Sequence, residues 1–123
     1  MPKHKILVVD DDEAVLDFMR AKLGARFDVV ATTEPEKVLG LARAQQPDLI
    51  LCDIDMPGMD GGDISAAVYG EDDLRDLPML FLTALVSPQD LQIQQGQLGG
   101  RPAISKDAPI DQLVARIESL IAP

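Results

Sequence analysis

Ile6-Leu7-Val8-Val9-Asp10-Asp11-Asp12 is four apolar residues running straight into three carboxylates. The apolar part lacks the polar alternation of a strand with one wet face, so it reads as a strand covered on both sides, the condition of a parallel sheet. Two further runs have the same form: Leu49-Ile50-Leu51-Cys52, followed by Asp53, and Met79-Leu80-Phe81-Leu82, followed by Thr83-Ala84. Phe27-Asp28-Val29-Val30-Ala31 and Pro102-Ala103-Ile104-Ser105 supply two less regular strands, and the proline assigns the second to a sheet edge.

Between the strands the apolar spacing becomes helical. From Glu13 to Leu23, Val15, Phe18, Met19 and Leu23 share a face, with Asp12 as N-cap and Gly24 as the stop. A second helix opens with Thr33 and Glu36 at capping-box spacing, carries Val38, Leu41 and Ala42, and ends before Pro47. Further helices are expected from about Gly62 to Tyr69, from Gln89 to Gln95, and from Ile110 through Leu113, Val114, Ile117 and Ile121. Strand and helix thus alternate five times. That pattern specifies right-handed crossovers and an open α/β sheet with helices on both faces, in one domain spanning residues 1–123.

The chain has 123 residues, 46% of them hydrophobic, and a formal net charge of −10 from 21 acids and 11 Lys and Arg. That is enough apolar material for one core and too much for an acidic disordered tail. The few scattered bases argue against direct nucleic-acid binding, which rewards clustered Lys and Arg. No apolar run is long enough for a signal peptide or membrane span, and Cys52 alone supports no disulfide framework. A soluble, cytoplasmic protein is expected. The acid excess is uneven: between Arg43 and Arg75 there is no Lys or Arg, while Asp48, Asp53, Asp55, Asp60, Asp63, Glu71, Asp72 and Asp73 fall there.

In such sheets the ligand site lies beyond the carboxyl ends of the strands. Those ends carry Asp10, Asp11 and Asp12, then Asp53, Thr83 and finally Lys106. Carboxylates crowded together resist ionisation unless a cation joins them, and oxygen ligands in a cleft suit a hard divalent ion, magnesium in particular. With a hydroxyl and an ammonium opposite, the pocket suits a phosphoryl group that one Asp carboxylate attacks.

Four signatures in this order, Ile6-Leu-Val-Val-Asp-Asp11, Asp53-Ile-Asp-Met-Pro57 with Gly58-Met-Asp-Gly61, Leu82-Thr-Ala84 and Lys106, make the chain resemble a response regulator receiver domain of a two-component system over essentially its whole length. The resemblance implies a flavodoxin-like doubly wound (βα)5 sandwich, with a five-stranded parallel sheet of order 2-1-3-4-5. It implies Asp53 as the residue phosphorylated by a sensor histidine kinase or histidine phosphotransfer protein. Asp10 and Asp11 would hold Mg2+ with Asp53 and the backbone carbonyl of Asp55, and Thr83 and Lys106 would read the phosphoryl group. Asp55 and Leu85 would influence the access of hydrolytic water. The implied output is a changed surface for a downstream protein partner or effector domain, by a phosphoacceptor that is not a turnover enzyme. Only Ile121, Ala122 and Pro123 follow Leu120, so the chain is expected to act alone or as the receiver part of a longer protein.

Two positions depart from the family pattern. Ala103 stands where an aromatic residue is common, three before the lysine, which removes a ring-flip route for the signal. Asp107 stands where a cis proline is common; a cis bond before a non-proline residue costs roughly 2.5–4 kcal/mol, so a trans Lys106–Asp107 peptide is expected, with Asp107 capping the last helix and Pro109 in its first turn. Other residues have ordinary structural readings: Cys52 as a small buried hydrophobe, His4 as solvated, Tyr69 at an exposed helix end, Met56 and Met59 packing the loop after Asp53. Two alternative functions stand beside the receiver: a receiver that no longer switches and serves as a docking module, and a haloacid-dehalogenase-type phosphatase, which Asp53-Ile54-Asp55 resembles. Motif order disfavours the phosphatase, because those enzymes place the double-Asp strand last.

Overall fold

Alternating strand residues face opposite sides of a sheet, so a run that is apolar at every position must be covered twice. The computed structural model, which describes residues 3–54, 56, 61–84, 97–98 and 101–121, shows how the chain meets that demand. β1 (Lys5–Val9), α1 (Glu13–Leu23), β2 (Asp28–Thr32), a 3-10 turn (Pro35–Lys37), α2 (Val38–Gln45), β3 (Leu49–Asp53), α3 (Gly61–Tyr69), β4 (Met79–Thr83), β5 (Gln97–Leu98), β6 (Arg101–Ser105) and α4 (Ile110–Ile121) follow one another. The expected helix at Gln89–Gln95, Met59 and Leu85 lie outside the described residues.

The sheet order is β2-β1-β3-β4-β6-β5. Its first five strands are parallel, with Ile6 beside Leu49, Cys52 beside Phe81 and Thr83 beside Ser105. This is the 2-1-3-4-5 order, since β6 is the strand read as the fifth. The addition is β5, two residues paired antiparallel with Arg101 and Pro102. The strand assigned to the edge by its proline is therefore extended there by one short neighbour.

The alternation divides the core in two. Ile6, Val8, Leu49, Leu51, Leu80, Leu82 and Ile104 pack on one face with Leu16, Met19 and Leu23 of α1 and Leu113 and Ile117 of α4. Leu7, Val9, Ile50, Cys52, Phe81 and Ala103 pack on the other with Val38 and Ala42 of α2 and Ile64 and Val68 of α3. Cys52 lies on the α2/α3 face, opposite to the direction of Asp53, as the alternation requires, and Met56 is buried there too.

Helix details correct the spacing in three places. Asp12 caps α1 by accepting the Ala14 N–H at 2.9 Å, and Gly24 ends it. However, Leu16 faces the sheet and Phe18 is 50% exposed, so the apolar face is rotated from the expected one. No capping box forms at Thr33. Instead the Thr32 hydroxyl accepts the Glu34 N–H at 3.0 Å, and Pro35, which has no N–H to cap, opens a 3-10 turn before α2. Asp107 stands too early to cap α4: the helix begins at Ile110, and the carbonyl of Pro109 accepts the N–H groups of Gln112 and Leu113.

α2 contains Gly40, exposed in its interior, where glycine is less favourable than alanine by about 0.8–1 kcal/mol. A Cβ built there meets nothing within 4 Å among the described residues outside the helix's own backbone. Gly40→Ala is expected to raise stability by about 0.5–1 kcal/mol. A urea midpoint at or below that of the parent would contradict this reading of α2.

Candidate functional site

Four parallel strands end on one edge of the sheet, and each end delivers a polar group. Asp10 follows β1, with its N–H donating to the Thr32 carbonyl at 3.3 Å. Asp53 is the last residue of β3 and Thr83 the last of β4. The register pairs Asp53 with Leu82, which sets Thr83 one residue beyond. Lys106 follows β6, held to β4 by its N–H donating to the Thr83 carbonyl at 2.7 Å.

Asp10, Asp11 and Asp53 each offer an oxygen, all within 4.8 Å of one another. Asp10 is fully buried and Asp53 is 3% exposed, while Asp11 faces solvent. One oxygen of Asp10 accepts the Asp12 N–H at 3.0 Å, which ties the carboxylate to the start of α1. The other accepts from the Lys106 ammonium at 2.9 Å, and that ammonium lies 3.5 Å from Asp53. Burial alone would lower the Lys106 pKa, but the hydrogen bond and charge of Asp10, with Asp53 behind them, hold it above the ordinary lysine value.

The donor set fits a hard divalent cation: carboxylate oxygens only, two of them withdrawn from water. The oxygens of Asp10, Asp11 and Asp53 lie close enough together to share one such ion, and Mg2+ held there would compete with the Lys106 ammonium for Asp10. The backbone carbonyl of Asp55 lies outside the described residues. The structure therefore brings Asp10, Asp11, Asp53 and Lys106 into one cluster and Thr83 to the adjoining strand end.

Around this cluster, the Lys106–Asp107 peptide is trans, as no cis bond occurs among the described residues. Ala103 is buried beside Phe81. Two groups escaped the sequence reading. The Ser105 hydroxyl, buried, accepts the Asp107 N–H at 3.1 Å; a strand-end serine gives no sign of such a bond. Arg101 stacks over Tyr69, 4.5 Å from the ring centroid, so Tyr69 is half-buried rather than exposed. His4 is exposed as expected, 3.4 Å from Asp48.

A doubly wound parallel sheet with acids, a threonine and a lysine at its carboxyl edge is an arrangement suited to phosphoryl chemistry on an aspartate. The response regulator receiver domain family matches residues 6–118, and the chain belongs to it. RpaA of Synechocystis, a DNA-binding dual master transcriptional regulator, is 33% identical over 118 residues, covering 95% of this chain and 48% of RpaA. The polar-differentiation response regulator DivK of Brucella anthropi is 31% identical over 123 residues, covering 98% of each. A crystal structure of a Chloroflexus aurantiacus protein assigned as a response regulator superimposes with a TM-score of 0.82 at 29% identity, over 98% of this chain and 99% of its own. The chain spans about half the length of RpaA, so it corresponds to only part of that regulator. No helix among the described residues is long and apolar enough to cross a membrane.

Proposed function

We propose that this receiver accepts a phosphoryl group on Asp53 from a sensor histidine kinase or histidine phosphotransfer protein. The observation that carries the reading is the Asp10, Asp11 and Asp53 cluster with the Lys106 ammonium inserted into it. In the transfer, an Asp53 oxygen forms a bond to phosphorus as the bond from phosphorus to the donor's imidazole nitrogen breaks, and the imidazole keeps that electron pair. Asp10, Asp11, Asp53 and the Asp55 carbonyl would hold Mg2+, which neutralises phosphoryl oxygens when bound. Lys106 supplies a second positive charge, and the Thr83 hydroxyl donates to a phosphoryl oxygen.

The output follows from charge. The aspartyl phosphate adds negative charge and three acceptor oxygens, and Thr83 and Lys106 gain contacts by closing on them. Their movement changes the surface around the end of β4, β6 and α4, which a downstream protein or effector domain reads. We read residues 1–123 as one receiver unit working in the cytoplasm, without direct contact to nucleic acid or membrane, and as a phosphoacceptor that resets by hydrolysis rather than a turnover phosphatase. Ala103 favours a second reading, a receiver that docks without switching, because no β6 ring is there to rotate.

The test is incubation with magnesium and a small acyl phosphate, followed by intact-mass measurement. One phosphoryl adduct is expected, absent when EDTA is included. No adduct at saturating donor would refute the acceptor role, and an adduct that leaves the amide spectrum beyond the site unchanged would establish docking without switching.

A further inference from the structure

We propose that Ser105 is a positioning residue that aims Lys106 at the carboxylate cluster by accepting the Asp107 N–H on its side-chain oxygen. The proposal rests on the acceptor-site reading above and adds to it a residue that touches no reacting atom. A lysine side chain has four rotatable bonds, so the place its ammonium reaches depends on how firmly its own backbone is held. On the amino side the sheet does this, through the 2.7 Å bond from the Lys106 N–H to the Thr83 carbonyl. On the carboxyl side the ladder has ended, because Thr83 and Ser105 are the last paired residues of β4 and β6.

What remains beyond Lys106 is a turn anchored twice on Ser105. Its hydroxyl accepts the Asp107 N–H at 3.1 Å, and its carbonyl accepts the Ala108 N–H, also at 3.1 Å. Ser105 is itself 2% exposed, so this anchor is sheltered from competing water. The peptide it restrains is the trans Lys106–Asp107 bond, which has no ring to fix it. The two bonds hold Lys106 between a strand end and a closed turn, and the ammonium then falls 2.9 Å from Asp10 and 3.5 Å from Asp53. A hydroxyl-free side chain at 105 loosens the turn and lets the ammonium leave Asp10.

The loss has two consequences of opposite sign, which a merely structural role would not give. Lys106 competes with a cation for Asp10, so its release strengthens magnesium binding. Phosphoryl transfer needs the ammonium in place, so the same release slows it. In Ser105→Ala, magnesium titrated calorimetrically is expected to bind several-fold tighter, and phosphorylation by a small acyl phosphate to slow at least about tenfold, since misplacement by an ångström can cost a hundredfold. Exchange of the Asp107 amide with deuterated water should quicken. Ser105→Thr keeps the hydroxyl and should restore all three.

In an Asp107→Pro background there is no amide to accept, so Ser105→Ala should change neither magnesium affinity nor rate further; this cycle decides the matter should Ser105→Thr fail to fold. Equal effects of Ser105→Ala in both backgrounds, weakened magnesium binding, or an unchanged Asp107 amide would overturn the proposal. A parent chain that binds magnesium but takes no phosphoryl group would instead overturn the acceptor reading, and the magnesium and exchange measurements would still decide the role of Ser105.

Discussion

Asp53→Asn should take up no phosphoryl group at any donor concentration, and without metal it should be more stable than the parent. The first effect is chemical: the amide keeps the size of the side chain but offers no anionic oxygen to attack phosphorus. The second is electrostatic. Asp53 is 3% exposed and shares its pocket with two other carboxylates, with the Lys106 ammonium 3.5 Å away. The two carboxylate repulsions and the cost of burial are expected to outweigh the Lys106 attraction, so removing the charge should add about 1 kcal/mol, or a few degrees in the thermal midpoint. Magnesium should then raise the midpoint less than it does for the parent. A phosphoryl adduct on the variant equal to the parent's would move the acceptor elsewhere, and a lower metal-free midpoint would show that the Lys106 attraction outweighs the crowding.

Lys106→Met should have the reverse effect on stability. Asp10 is wholly buried, and the Lys106 ammonium at 2.9 Å is the cation beside it. Breaking a buried pair leaves an uncompensated charge, at about 3–5 kcal/mol for a dry pair; here part of the lysine reaches solvent, so a loss of about 2–3 kcal/mol is expected without metal. Added magnesium should recover much of it, because the vacated carboxylates are then free to coordinate. Since the Lys106 pKa is raised on folding, its contribution is complete below the unfolded-chain lysine value of 10.5 and fades as pH rises through the higher folded value. Chemical denaturation of parent and variant in EDTA should thus converge only in strong alkali. A constant difference across that range, or none at neutral pH, would remove the ion pair from the account of stability. Phosphorylation should slow in the variant under every condition.

Most of the architecture was legible because the strands are short and apolar at every position. A run such as Leu49 to Cys52 permits few arrangements, and its following Asp53 marks the end that matters. The phase of α1 was not legible, because Val15, Leu16, Phe18, Met19 and Leu23 offer two overlapping apolar faces and only the sheet chooses Leu16 over Phe18. The α2 start misled for a different reason: Thr33 and Glu36 have capping-box spacing, but Pro35 between them imposes a tighter turn. Asp10, Asp11, Asp53 and Lys106 could be assembled from strand ends alone. The bond from Asp107 to Ser105 could not, since it depends on how the backbone turns after the ladder stops.

The position of β3 between β1 and β4 also sets the order in which the protein can be finished on the ribosome. β1 and β2 already flank each other, and β3 completes three adjacent strands. Its outer edge then waits for residues 79–83, which at about 5–20 residues per second arrive a few seconds later. During that interval a bare apolar edge invites the same edge of a neighbouring nascent chain. The segment emerging just behind it, from Asp53 to Asp73, carries acids and no Lys or Arg. Like charge on every copy keeps neighbouring chains apart while the edge is open.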